Sequence, residues 1–250
     1  MDERTNLKYQ LISAWCGPVF VLAFVLFWGV IAHNLPAPPA PSLSALEVAE
    51  RYRSHLTDIR LGFIVSLVIV VLYMPWTSLL ATQMAQIEGR YRTLTYLQLI
   101  GGALTVMVVS FSAMFWLAAA FRPERAPEIT QMLTDVGWLC VDTQYACTTL
   151  QMVAAALVGL ADQREKPLFP EWVCYLTIAC GLSFIPASLT GVLKTGPFAW
   201  NGMLSYYIPY FAWLFWFAVA SFYMIREVRG RMVDPTPAVI SQAVPQGSGI

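Results

Sequence analysis

From Leu11 to Ala32 the chain runs without a single charged residue. A helix rising 1.5 Å per residue needs about 20 such residues to cross a hydrocarbon core of ~30 Å. Comparable stretches, nearly free of charge, recur at 59–83, 96–120, 130–161, 171–193 and 203–225. No water is available in a bilayer core to satisfy backbone N–H and C=O groups, so segments of this kind must be helical. Composition agrees: 58% of residues are hydrophobic and 12% charged, where about a quarter is charged in soluble chains. The expectation is an all-α integral membrane protein, a six-span transmembrane helix bundle forming a single domain over residues 1–232. Residues 233–250, rich in Pro, Gln, Ser and Gly, read as a disordered cytoplasmic tail.

The connectors carry their own signals. Pro36 to Pro41, PAPPAP, breaks the first helix and makes a stiff extended link. Ser44 and Glu47 then have capping-box spacing. Leu46, Val48, Tyr52 and Leu56 alternate with Glu47, Glu50, Arg51 and Arg53, which predicts one extra amphipathic helix between spans 1 and 2, lying on the outer surface or capping the bundle. Its His55 reads as solvent-facing. Pro75 predicts a kink in the second span. Gly101-Gly102 permits close helix approach in the third, and Ala155 with Gly159 does so in the fourth.

Six spans place both termini on one side. With the amino end inside, the inner segments hold Arg4, Lys8, Arg90, Arg92, Arg164, Lys166, Arg226, Arg229 and Arg231; the outer ones hold Arg51, Arg53, Arg60, Arg122, Arg125 and Lys194. Basic residues favour the cytoplasmic side, so the reading is a multi-pass protein of the cell membrane with both termini cytoplasmic.

The fourth span contains two acids, Asp135 and Asp142, seven residues apart and therefore on one face of a continuous helix, roughly 10 Å apart in depth. Trp138, Tyr145, Thr149 and Met152 extend that stripe. A carboxylate inside a span costs about 2.5 to 3.5 kcal/mol on insertion scales, which makes such a residue a functional candidate by default. Arg60, Trp200, Asn201 and Tyr206 fall at the same outer end of their spans. Asp142 and Asp135 are accordingly the candidate catalytic acids, and Trp138, Tyr145, Arg60, Trp200, Asn201 and Tyr206 the candidate ligand-binding residues. Asp142, the deeper of the two, is expected to matter more, because basic side chains near the outer surface offer Asp135 ordinary partners.

Other chemistries are poorly supplied. The basic residues form no continuous surface, which sets nucleic acid aside. Cys16, Cys140, Cys147, Cys174 and Cys180 lie in apolar runs without a CxxC pair and read as small buried residues. His33 and His55 alone are too few for a histidine-rich di-iron site or a bis-histidine haem, and no nucleotide-binding fingerprint occurs, so neither metal nor cofactor is expected. What remains is a protein that binds membrane lipid or a hydrophobic small molecule in a polar-lined cavity of the outer half. Acid/base isomerisation or cyclisation is the chemistry open to it if it is an enzyme. The alternatives are an accessory or structural subunit covered by a membrane protein partner, and a small transporter.

Overall fold

The computed structural model describes residues 2–233, and among these every regular element is a helix. The expected tail lies outside the described residues apart from Val233. Helix α1 (Glu3–Phe24) continues as a π-helical segment, Val25–Ile31. α2 (Ala45–Ser54) follows the proline-rich link, then α3 (Leu56–Ile69), a 3-10 turn at Val70–Leu72, and α4 (Tyr73–Glu88). α5 (Thr93–Phe121) is unbroken over 29 residues. α6 (Pro127–Thr143) and α7 (Ala146–Leu160) come next, followed by α8 (Glu171–Leu182), a 3-10 stretch at Ile185–Gly191, a second π segment at Met203–Tyr207, and α9 (Ile208–Val233).

Five of these units are long and apolar enough to cross a membrane: Glu3–Ile31, Leu56–Glu88, Thr93–Phe121, Glu171–Gly191 and Met203–Val233. Their outer faces keep large apolar side chains exposed, Leu22 at 73%, Val68 at 69% and Phe222 at 62%. Water would penalise such a surface and lipid does not, so length, composition and surface together fit a membrane bundle.

Small residues set where the helices cross. A Cβ on Gly17 of α1 would stand 2.4 Å from Trp76 Cδ1 of α4 and closer still to Ser221 Oγ of α9. Trp76 Nε1 donates to that same Ser221 hydroxyl at 2.8 Å, so the absent side chain of Gly17 lets three helices meet around one hydrogen bond. Pro75, which cannot pair with the carbonyl four residues earlier, follows the tightened 3-10 turn at Val70–Leu72.

The stretch 130–161 is not one helix. Backbone regularity is lost at Gln144 (φ −94, ψ 18), between α6 and α7. No glycine or proline marks the place. Instead, the Thr143 hydroxyl donates back to the Leu139 carbonyl at 2.7 Å and Cys147 Sγ donates to the Gln144 carbonyl at 3.1 Å, side-chain bonds of the kind that compete with the helical ladder. Both pieces nevertheless pack along α5 in one antiparallel register. Trp116 Nε1 donates to the Thr134 carbonyl at 3.3 Å, Thr105 and Thr148 share a 2.8 Å hydroxyl bond, and Gly101 lies against Cys147 and Gln151. The break therefore falls opposite the middle of α5.

The end of the bundle that holds α2 is tied down by backbone capping. Ser44 and Glu47 form a complete capping box on α2, whose Tyr52 is buried and accepts from Thr134 Oγ1 at 3.2 Å. Arg60 Nε donates to the Ala120 carbonyl at 3.0 Å and its Nη2 to the Phe121 carbonyl at 2.9 Å. These are carbonyls that the end of α5 leaves without a helical partner.

Candidate functional site

Asp142 lies in the last turn of α6, 2% exposed, directly before the break. Tyr210, in the first turn of α9, donates its hydroxyl hydrogen to Asp142 Oδ1 at 3.2 Å. No partner meets Oδ2 among the described residues, and no basic side chain forms an ion pair with this acid. An unpaired carboxylate at such depth is expensive. The group is therefore suited to donating a proton in a hydrogen bond, or to meeting a cation brought by a ligand.

Beside Asp142 lies a cavity of about 40 Å³, room for on the order of three waters at ~10–15 Å³ each. Thr105 and Ser112 of α5 line it, seven residues apart and hence on one face, together with Tyr145, Thr148, Tyr210 and the aromatic rings of Phe24, Trp28 and Trp213. Trp28 comes from the first π segment. Its ring stacks on Tyr210 (centroids 5.6 Å apart, planes 7° off parallel) and on Phe24 (5.0 Å, 9°). Two further polar atoms of the lining are buried without a partner among the described residues, Ser112 Oγ and Trp213 Nε1. Each orphaned group costs about 1–3 kcal/mol unless something satisfies it. The three residues that carry them, an acid, a serine and a tryptophan, all line this one small space.

A second, open groove of about 380 Å³ runs on the lipid-facing side of α5 at the level of the break. Leu104, Met107, Phe111 and Phe115 line it from α5; Cys140, Gln144 and Cys147 line it from the broken segment. Val108 lines both spaces. Toward the end of the bundle opposite α2, Tyr73 donates to Gln151 Oε1 at 2.6 Å, and Thr77 Oγ1 accepts from Gln151 Nε2 at 3.1 Å and Gln98 Nε2 at 2.7 Å. This buried network joins α4, α5 and α7. Gly102 makes it possible, since a Cβ there would come within 2.9 Å of Gln151 Nε2.

The residues singled out from sequence are distributed as follows. Asp142 and Tyr145 line the cavity, and the Tyr145 hydroxyl is shared with Ser188 at 2.7 Å. Asp135 is half-buried and lies outside the lining. Trp138 is buried behind the cavity in an aromatic cluster, 4.7 Å from the ring of Trp116. Trp200 Nε1 donates to the Pro39 carbonyl at 2.8 Å and the Tyr206 hydroxyl to the Asn34 carbonyl at 2.7 Å; both fasten loops. Arg60 caps α5, and Asn201 is half-buried in the turn before the second π segment. Sequence reasoning passed over Ser112, Trp213 and Thr148. The seven-residue spacing of Thr105 and Ser112 was the available signal for the first.

No family model matches the chain, and comparisons with curated proteins and with solved structures return no match.

Proposed function

We propose that the protein binds an amphipathic small molecule or lipid whose polar group enters the Asp142 cavity while its apolar body lies in the groove outside Val108. One observation carries this reading: three buried polar atoms, Asp142 Oδ2, Ser112 Oγ and Trp213 Nε1, lack partners among the described residues and belong to residues that line one cavity. The cavity suits a headgroup of only a few heavy atoms. A ligand offering both an acceptor and a donor, such as a hydroxyl, carbonyl or amine, complements an acid, a hydroxyl and an indole N–H. In this reading Pro127–Leu160 is a sixth crossing made in two pieces, with both termini cytoplasmic and the cavity in the outer half of a cell-membrane bundle. Irregular backbone at membrane depth is tolerated where it lines a cavity or is covered by protein, and the π segment carrying Trp28, the break after Asp142 and the second π segment before Tyr210 all adjoin this site. If the bound molecule is a substrate, Asp142 is the proton donor and Tyr210 its positioning partner.

The test is compound retention. Organic extracts of the purified protein contain one enriched amphipathic compound, and Asp142→Asn loses it while remaining folded. Bulk lipid of identical composition in both preparations contradicts the proposal.

A further inference from the structure

The chain has two histidines in 250 residues, and the fold brings them ring to ring. His33 follows the first π segment, His55 stands at the junction of α2 and α3, and their ring centroids are 4.1 Å apart. Asp58, in the first turn of α3, completes the group: one ligand atom from each of the three residues lies within 4.8 Å of the others. None of the three lines the Asp142 cavity.

The geometry points to a site for a divalent transition metal ion, with zinc the closest match, held by His33, His55 and Asp58. Two imidazoles and one carboxylate are a donor set suited to zinc and its first-row neighbours. The 3.4 Å between His33 Nε2 and Asp58 Oδ2 is long for a hydrogen bond of this type. It matches the edge of a tetrahedron, since two atoms bound at ~2.1 Å to one tetrahedral ion stand about 3.4 Å apart. His55 brings a ring nitrogen within 4.8 Å of both. His33 also holds a positive φ of 60°, a left-handed backbone that costs a non-glycine residue roughly 1–2 kcal/mol. The turn is held there by Arg51, whose guanidinium donates to the His33 carbonyl, and by Asn34, whose side-chain amide donates to the Trp28 carbonyl at 3.0 Å. The Arg51 head is committed to the backbone, and Asp58 brings negative charge to the cluster. Three protein ligands leave one position of a tetrahedral ion open to water or an exogenous donor.

A metal here would join the end of the first span to both helices that follow the proline-rich link. The segments it would fix already reach the rest of the outer face through Pro39, which accepts from Trp200, and Leu43, which accepts from Gln131 Nε2 at 2.9 Å. The site is a clamp on the outer cap.

The experiment uses full-length protein purified without a histidine tag, stripped with EDTA and titrated with zinc chloride. Elemental analysis after desalting finds one zinc per chain, and the thermal midpoint rises with zinc and falls back with EDTA. His55→Ala and Asp58→Asn, both at exposed positions, lose the bound zinc and the shift while keeping the metal-free midpoint. Glu50→Gln, an exposed acid on α2 outside the cluster, keeps both. Zinc at background level in the unmodified protein overturns the site, and so does stoichiometric zinc that persists in both His55→Ala and Asp58→Asn.

Discussion

The Tyr210 hydroxyl donates to Asp142 Oδ1 at 3.2 Å across the junction of α6 and α9, and this is the one hydrogen bond that the buried acid makes among the described residues. Tyr210→Phe removes the donor and keeps the ring that stacks on Trp28. The expected cost is about 1–3 kcal/mol for a buried polar group that loses its partner, read as a lower thermal midpoint in detergent. Asp142→Asn retains an acceptor for Tyr210 and costs less. If Tyr210→Phe leaves the midpoint unchanged while Asp142→Asn collapses it, the Tyr210 bond is not what holds the acid.

Val108 lines both the cavity and the groove outside α5. Val108→Phe adds bulk there from a half-buried position. Retained compound falls several-fold while stability changes by no more than about 1 kcal/mol, a shape change that a lipid-facing side chain absorbs. Unaltered compound content in Val108→Phe argues that the ligand reaches Asp142 by another way.

Gly17 has no room for a side chain. A methyl group there would meet Trp76 Cδ1 at 2.4 Å and break the packing around the Trp76 to Ser221 bond. Gly17→Ala is expected to destabilise by about 1–3 kcal/mol, as overpacking does in a tight core. Gly230, with open space around its Cβ position, supplies the control: Gly230→Ala is neutral or slightly stabilising in a helix.

Outside the spans, Asp162 sets an acid limit. Its side chain accepts from Arg164 Nε at 2.7 Å and from the Leu168 backbone N–H at 2.8 Å. Burial pushes the carboxyl up, but the bonds from Arg164 and Leu168 outweigh it and hold the group below its ordinary value of 3.8. A folded carboxyl that ionises more readily than the unfolded one adds stability above the unfolded value, and that stability is lost as pH falls through the lower folded value. Asp162→Asn therefore lowers stability at neutral pH by about 1 kcal/mol. The two proteins converge as the medium is acidified below about pH 4. A constant difference down to pH 2 contradicts this assignment.

Five apolar crossings were legible because length and hydropathy alone specify them: the expected 59–83 and 96–120 lie inside Leu56–Glu88 and Thr93–Phe121. The break at Gln144 was not, since neither glycine nor proline marks it and the Thr143 and Cys147 side-chain bonds that accompany it look like ordinary span residues in sequence. That break matters for the acids. Asp135 and Asp142 share α6, but the stripe does not continue as one face through Thr149, whose hydroxyl turns to the Gly181 carbonyl at 2.8 Å. Arg60 looked available to an acid because sequence does not reveal that the carbonyls of Ala120 and Phe121 claim it first. The convergence of Ser112, Trp213 and Asp142 comes from three separate helices, and no local pattern encodes it.

The most direct measurement is an experimental density map of the purified protein, resolved well enough to place side chains and bound molecules. The account predicts non-protein density in the cavity, within hydrogen-bonding reach (about 2.6–3.2 Å) of Asp142 Oδ2 and of Ser112 Oγ or Trp213 Nε1, continuing past Val108 toward the groove. A map in which Asp142 Oδ2 bonds directly to Ser112 or another side chain, with the cavity closed and no density beside it, would contradict it.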